Sequence, residues 1–187
     1  MKNAFLIGRQ IYLRPLEEED LDGDYLKWLN DSEINTYMVA GLFPQTKKTL
    51  REYYESASSD RKAAYFAIVD KKTEKHIGNS QIYKIDWRNR ICEFGILIGD
   101  KDYWGKGICK EALRLLVKYA FTKLNLRKMC IGVVKENAGA VRCYTGVGFR
   151  QEGELKEMWY DIKSQKYVST LWLGITREEY EKEAKKK

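Results

Sequence analysis

The pattern of hydrophobic residues is clearest after Gly107, where apolar side chains recur every three or four positions. They fall at Ile108, Cys109, Ala112, Leu113, Leu116, Val117, Ala120, Phe121 and Leu124. The opposite side carries Lys110, Glu111, Arg114 and Lys118. This spacing predicts a long amphipathic helix that begins at Ile108.

Shorter apolar runs predict strands on both sides of this helix. Residues 10–14 form a first strand that Pro15 ends, and residues 64–69, 76–85 and 90–98 follow one another through short polar turns. Such closely spaced strands predict an antiparallel meander. A further strand is expected at 128–134, and residues 153–175 alternate like a closing hairpin.

Three more helices are expected, at 18–30, 47–56 and 138–147. The order of elements predicts an α/β fold with a mixed, mostly antiparallel central sheet and one β–α–β crossover in its second half. A chain of 187 residues is most simply one domain, which we place at 1–181, followed by a basic tail at 182–187.

The charge and the hydropathy of the chain limit the kinds of partner that we expect. The net charge is +7, but the four lysines and one glutamate of "KEAKKK" contribute +3 of it, and the rest is scattered among acids. No nucleic-acid partner is therefore expected. No stretch approaches the roughly 18 apolar residues of a spanning helix, and the first residues lack a signal-peptide pattern. We expect a cytoplasmic protein with no membrane partner.

The cysteines do not predict a metal site. Cys92, Cys109, Cys130 and Cys143 lie far apart, and His76 is the only histidine. Zinc sites need paired cysteines or nearby histidines, so these residues are expected to be reduced core thiols.

Gly105 and Gly107 stand where the long helix begins, just after an apolar strand. The unpaired N–H groups and the dipole of a helix N-terminus favour an anion, and glycine lets a ligand approach the backbone closely. A phosphate site and a tight turn without a ligand both fit these residues. A P-loop does not fit, because Lys106 is followed by Gly107 and not by Ser or Thr. A dinucleotide-binding fingerprint does not fit, because "GKGICK" has lysine in place of the third glycine and follows antiparallel strands rather than a β–α–β unit.

Two longer segments carry a resemblance to a known family. "YWGKGICKEAL" resembles the pyrophosphate-binding turn and helix of the GNAT family of N-acetyltransferases, and "KENAGAVRCYTGVGFRQEGE" resembles the segment that follows in that family. With "CEFGILI" and "IYLRPLEEEDL", the resemblance covers nearly the whole chain. It implies helices on both faces of the sheet and a splayed strand pair that holds CoA. One departure is Asp102, where the family often has Gln or Arg.

The resemblance implies acetyl-CoA as the co-substrate. The backbone N–H groups from Trp104 through Gly105, Lys106, Gly107 and Ile108 to Cys109 would hold its pyrophosphate, with the Lys106 and Lys110 ammonium groups nearby. Main-chain groups of Ile96, Leu97 and Ile98 would bind the pantetheine arm, and the Leu97 N–H would polarise the thioester carbonyl. Asn137 would either anchor this arm or serve only as a helix N-cap.

Two residues are candidates for catalysis. Glu93 is a carboxylate within an apolar strand, on the same face as Gly95 and Leu97, and is either a general base or an acid paired with an arginine or with solvent. Tyr144 stands where the family often places the proton donor to the CoA sulfur. Its alternative is a tyrosine packed in the core.

The acceptor is the least constrained part of the prediction. "DYLKWLNDSEIN" resembles family members that acetylate amino sugars on a nucleotide carrier, and we expect such a primary amine to attack the thioester directly. The layout also resembles branches that act on ribosomal-protein N-termini and on spermidine. The sequence leaves open that the protein binds CoA without catalysing a reaction. It also leaves open that the protein forms a homodimer. Trp28 and Asn30 are candidates for the acceptor pocket, with a core role as the alternative for Trp28.

Overall fold

A computed structural model describes residues 1–59 and 62–184. The strands in these residues are β1 (Leu6–Ile7), β2 (Ile11–Pro15), β3 (Ala64–Asp70), β4 (His76–Asp86), β5 (Ile91–Ile98), β6 (Lys128–Val134), β7 (Arg150–Asp161) and β8 (Lys166–Thr176). The helices are α1 (Tyr25–Asn30), α2 (Lys47–Ser59), α3 (Ile108–Thr122), α4 (Ala138–Thr145) and α5 (Arg177–Ala184). Short 3-10 helices occupy Glu18–Asp22, Val39–Leu42 and Lys101–Tyr103.

The strands form one eight-stranded sheet in the order β1-β2-β3-β4-β5-β6-β8-β7. Every neighbouring pair is antiparallel except β5 and β6, which are parallel. Helix α3 makes the crossover between these two strands. The predicted mixed, mostly antiparallel sheet is confirmed, and so is the meander of β3, β4 and β5.

Helices cover both faces of the sheet, as expected. On one face, the apolar stripe of α3 packs against a core that includes Ile82, Phe94 and Met129. On the other face, α1 and α2 bury Trp28 and Leu50 in a second cluster. Side chains alternate between the faces of a strand, so even-numbered residues of β5 point to α3 and odd-numbered ones to α1 and α2.

The single helix predicted at 18–30 is wrong. The structure divides it into a 3-10 helix and α1, and Gly23 ends the first piece in an extended conformation. The cause is tertiary: the Arg14 guanidinium donates to both oxygens of Asp20 at 2.7 and 2.6 Å, and Asp20 also accepts from the Glu17 N–H at 2.8 Å. This local network fixes a tight turn where a regular helix would have continued.

Helix α5 was not predicted, because its charged sequence carries little apolar periodicity. Arg177 fixes its first turn by donating to the Leu126 carbonyl at 3.2 Å and to Asn125 Oδ1 at 2.9 Å. The helix runs past the boundary expected between residues 181 and 182. Residues 185–187 of the predicted tail lie outside the described residues, and the division into domain and tail stays a prediction.

Candidate active site

The parallel strands at the centre of the sheet are joined only at their beginnings. Paired residues are Ile91 with Lys128, Cys92 with Met129 and Glu93 with Cys130. Beyond that point β5 keeps β4 as its neighbour and β6 keeps β8, but β5 and β6 no longer pair. The sheet is therefore splayed open after Glu93, and the opening leaves strand edges with free backbone groups.

The direction of the backbone N–H and C=O groups decides which residues of β5 can bind a ligand in this opening. The Arg90 carbonyl accepts from the Arg127 N–H at 2.7 Å on the β6 side, whereas the Gly99 N–H donates to the Ile77 carbonyl at 3.0 Å on the β4 side. Backbone groups alternate between neighbours along a strand. The groups of Ile96 and Ile98 therefore face the opening, as do those of Phe94.

The same alternation corrects the role expected for Leu97. Its N–H and C=O groups point to β4, where Leu97 is paired with Asn79. A group committed to the sheet ladder cannot also polarise a thioester in the opening. The N–H groups that face the opening on either side of this position are those of Ile96 and Ile98.

The glycine turn lies beyond the end of β5 and has the backbone of an anion site. Gly105 and Gly107 adopt φ values of 72° and 81°, in the left-handed region that favours glycine. Among the described residues, no backbone N–H from Gly105 to Lys110 donates to a protein group. Helix α3 begins here, so these N–H groups and the positive end of its dipole converge on one place.

Trp104 takes part in this turn differently from the prediction. Its backbone N–H donates to the Lys101 carbonyl at 3.0 Å and is not available to a phosphate. Its indole Nε1–H instead donates to the Ile98 carbonyl at 2.8 Å. Trp104 therefore ties the glycine turn to the end of the strand beside the opening.

The two lysines of the turn are held loosely. The Lys106 ammonium lies 5.7 Å from the centre of the Tyr103 ring. The stem of Lys110 passes over Gly146 at the end of α4, where an added Cβ would lie 2.3 Å from Lys110 Cε. Lys106 belongs to the glycine turn and Lys110 to the first turn of α3, so both are close in sequence to the unpaired N–H groups.

Tyr144 lies on the α3 face of the sheet, where it is 7% exposed. Its ring packs against Phe94 and Phe149, with centroid distances of 5.1 and 6.4 Å. The hydroxyl forms no hydrogen bond within the described part of the chain. Burial raises the pKa of Tyr144 well above its ordinary value, and the nearby Cys109 and Cys143 thiols add to this shift. The phenol therefore keeps its proton at neutral pH.

Helix α4 itself begins at Asn137. The side-chain oxygen of Asn137 accepts from the Ala140 N–H at 3.1 Å, which is an N-cap contact. Its side-chain NH₂ group has no partner among residues 1–59 and 62–184. The cap and a ligand contact are therefore compatible.

Glu93 lies on the opposite face, at the last paired position before the opening. Its carboxylate accepts from the Tyr83 hydroxyl at 3.2 Å, and the Lys84 ammonium lies 3.1 and 3.2 Å from its two oxygens. The partner is thus a lysine and not the arginine considered from the sequence. One-fifth of the side chain is exposed.

Tyrosine side chains lie on the same face of the sheet as Glu93. Tyr53 of α2 donates to Gln81 Oε1 at 2.9 Å and packs edge-on against Tyr65. Gly95 allows the Gln81 side chain to lie close to the strand, because a Cβ at position 95 would lie only 3.0 Å from Gln81 Nε2. The opening is therefore flanked by a carboxylate and tyrosines on one face and by the Tyr144 phenol on the other.

The sequence analysis missed Tyr83 and Lys84. The available signal was the hairpin of β4 and β5, which places Tyr83 directly opposite Glu93. The pairing is irregular between Tyr83 and Asp86, so counting back from the turn does not give this register.

Trp28 and Asn30 do not form an acceptor pocket. Trp28 is buried beneath Gly99, where an added Cβ would lie 2.0 Å from Trp28 Cδ2, and its ring lies 5.1 Å from that of His76. Asn30 donates to the Leu26 and Gln45 carbonyls at 3.1 and 3.0 Å. Trp28 is a core anchor, and Asn30 ties down the loop between α1 and α2.

The four cysteines are free thiols, two of them buried and two half-buried. Within residues 1–59 and 62–184, no group of three or more His, Cys, Asp or Glu side chains is placed to hold a metal ion. No helix in the described part of the chain has the length and apolar character to cross a membrane.

The family model for the acetyltransferase (GNAT) domain matches residues 10–150. The chain belongs to the GNAT family, and it is an N-acetyltransferase by this membership.

Several relatives match along nearly their whole length. The spermidine N(1)-acetyltransferase of Escherichia coli is 32% identical over 176 residues, which cover 92% of this chain and 89% of the relative. An uncharacterized N-acetyltransferase of Bacillus licheniformis, p20, is 28% identical and covers 94% and 97%. The structure of the Vibrio cholerae spermidine N-acetyltransferase in complex with CoA and spermine has a TM-score of 0.83 at 29% identity, covering 91% and 98%.

Proposed function

We propose that this protein transfers the acetyl group of acetyl-CoA to a primary amine by direct attack of the amine on the thioester. The observation that carries this proposal is the splayed strand pair, which leads to the unpaired N–H groups of residues 105–110. An opening with free strand edges suits an extended pantetheine arm, and the helix N-terminus suits a pyrophosphate.

The donor would be held mainly by backbone. The N–H groups from Gly105 to Cys109 would bind the pyrophosphate, with Lys106 and Lys110 as nearby cations. Ile96 and Ile98 would offer their backbone groups to the pantetheine arm, and the Asn137 NH₂ group would be a further donor to it. The structure with CoA from Vibrio cholerae supports this cofactor class for the fold.

The catalytic roles follow from the two faces of the opening. When bound, acetyl-CoA supplies an acetyl group activated as a thioester. The Tyr144 phenol would donate its proton to the departing thiolate, and the Ile96 N–H would polarise the carbonyl. On the other face, the Glu93 carboxylate would receive the amine proton, directly or through water. The nitrogen–carbon bond forms as the carbon–sulfur bond breaks.

A small aliphatic polyamine is the acceptor class that we propose. Spermidine N-acetyltransferases match this chain in both sequence and structure. The amino-sugar acceptor expected from the sequence has no such support, so the polyamine replaces it. A protein N-terminus is kept as a comparison in the test.

The acceptor is tested with a panel of amines at a fixed, saturating concentration of acetyl-CoA. Spermidine, a short peptide with a free N-terminus and a nucleotide-linked amino sugar are compared by the release of CoA thiol. Spermidine should have the highest kcat/KM by at least about tenfold, which corresponds to about 1.4 kcal/mol of transition-state binding. A higher kcat/KM for the peptide or the sugar would reject the polyamine assignment.

A further inference from the structure

Lys84 occupies an irregular position in β4. Its φ is 50°, in the left-handed region, and it falls in the interruption of the pairing between Tyr83 and Asp86. Non-glycine residues adopt this conformation only where the surrounding structure holds them. Here the result is a lysine side chain that reaches along the sheet to Glu93.

The group that Lys84 brings to Glu93 is itself a primary ammonium. It lies 3.1 and 3.2 Å from the two carboxylate oxygens, and Tyr83 holds one of these oxygens from the other side. An acceptor amine arriving in its charged form carries the same chemical group to the same carboxylate. The two cations cannot both occupy the position between these oxygens.

We propose that Lys84 is a specificity-determining residue that competes with the acceptor ammonium for Glu93. This inference rests on the proposed function of the same site. A strongly basic aliphatic amine arrives as an ammonium and can take the place of Lys84. A weakly basic amine arrives largely neutral and leaves the pair intact, so Lys84 weakens the binding of strongly basic acceptors without affecting that of weakly basic ones.

The Lys84–Glu93 ion pair has the properties of a contact that another cation can displace. The Lys84 side chain is 67% exposed, whereas that of Glu93 is 20% exposed. Exposed pairs of this kind change an equilibrium by about fivefold at most, and salt weakens them. Lys84 can therefore leave at little cost when a better-placed cation arrives, and the Glu93 carboxylate keeps its hydrogen bond from Tyr83.

The test compares spermidine kinetics in four proteins. Lys84→Met removes the ammonium and keeps the apolar stem, whereas Lys84→Arg keeps the cation and can bind both oxygens. Lys47→Met is the matched control, because Lys47 is also exposed and lies 3.1 Å from an aspartate, Asp22. KM and kcat are measured at low and at high salt by CoA release.

Lys84→Met should lower the KM for spermidine by about three- to fivefold at low salt, with kcat within about twofold, and the gap should narrow at high salt. Lys84→Arg should keep the wild-type KM or raise it, and Lys47→Met should change nothing. The preference for spermidine over a weakly basic amine such as methoxyamine should rise in Lys84→Met, because only the charged amine competes with Lys84. An unchanged or raised KM in Lys84→Met, or an equal fall in Lys47→Met, would overturn the inference.

Calorimetric binding of spermidine to the CoA complex separates this inference from the proposed function. If the wild type binds spermidine without transferring acetyl, the proposed reaction fails, and tighter binding by Lys84→Met still supports the competition. If the wild type transfers acetyl but Lys84→Met binds no more tightly, the reaction stands and the competition fails. An absence of both binding and transfer in all four proteins contradicts both.

Discussion

Tyr144 packs edge-on against Phe94, with the ring centroids 5.1 Å apart and the ring planes at 79°. Phe94 belongs to the strand that borders the opening, one residue beyond the last pair between β5 and β6. The contact fixes the phenol at the place where the thioester is expected. It leaves the hydroxyl available, because the two rings make the contact and the hydroxyl has no hydrogen-bond partner in the described part of the chain.

Tyr144→Phe should keep this packing and lose only the proton donor. We expect kcat to fall by about two orders of magnitude, with little change in the affinity for acetyl-CoA. Tyr119→Phe is the control, since the Tyr119 ring also packs edge-on in the core, 5.8 Å from Phe66. Steady-state kinetics and thermal shifts with acetyl-CoA measure both effects. A near-wild-type kcat in Tyr144→Phe would leave Tyr144 as a packing residue.

The pH dependence of the wild-type enzyme tests the protonation state of the same phenol. Because burial raises the pKa of Tyr144, its ionisation should not reduce activity until the pH is well above about 10, the ordinary value for tyrosine. We therefore expect no alkaline decline from this group between about pH 8 and about pH 10. A decline in that range that Tyr144→Phe abolishes would contradict this assignment.

Glu93→Gln should affect activity most at neutral pH. The acceptor amine is then mostly protonated and needs a base, whereas at higher pH more of it is neutral without help. Activity relative to wild type should therefore rise with pH. The measurement is kcat/KM for spermidine from about pH 7 to about pH 9.5. Profiles that run parallel for Glu93→Gln and wild type would remove Glu93 from proton transfer.

Gly107→Val should abolish acetyl-CoA binding. A valine strains the left-handed backbone at this position by about 1–2 kcal/mol, and its side chain would stand in the place of the pyrophosphate. Gly153→Val is the matched control, because an added Cβ meets no atom within 4 Å at either glycine and Gly153 has no positive φ. Thermal shifts with acetyl-CoA should persist in Gly153→Val only. Equal shifts in both variants would place the pyrophosphate elsewhere.

Stability should fall in alkali because tyrosines are buried. Burial raises the pKa of Tyr25 and of Tyr83 to about 12, whereas in the unfolded chain tyrosine ionises near 10. Between these values the folded state binds more protons, so the free energy of unfolding decreases as the pH rises. Urea unfolding at about pH 9 and about pH 11 measures the decrease.

A pair of variants assigns this decrease to the buried rings. Tyr25→Phe should reduce the loss of stability by about 1.4 kcal/mol at about pH 11, the value of one pKa unit. The control, Tyr167→Phe, should leave the loss of stability in alkali unchanged, because Tyr167 is 67% exposed. Equal slopes in Tyr25→Phe and wild type would show that the buried phenol is not responsible.

The parts of the fold that were predicted are those with strong local periodicity. Helix α3 begins at Ile108 and β6 spans Lys128–Val134, as their apolar patterns indicate. The break at Gly23 depends on the contact of Asp20 with Arg14 in a different element, and hydrophobic periodicity carries no information about such a contact. Glycine also predicted the position of the turn before α3 correctly, because a positive φ is a local requirement.

The details of the site depended on information that lies outside any one segment. Alternation along β5 predicts which side chains share a face, but which backbone groups reach the opening depends on which neighbour lies on each side. That is why the sequence analysis assigned the carbonyl-polarising N–H to Leu97, whereas the backbone groups that face the opening are those of Ile96 and Ile98. The contact of Lys84 with Glu93 depends on an irregular register between two strands, so no sequence spacing revealed it.

The most direct test of the account is product formation from acetyl-CoA and spermidine, followed by mass spectrometry together with CoA thiol release. The wild type should form acetylspermidine and free thiol in equal amounts. Gly107→Val should form neither above the uncatalysed rate, while Gly153→Val should match the wild type. Thiol release without acetylated amine, or equal acetylation by the wild type and Gly107→Val, would contradict amine acetylation at this site.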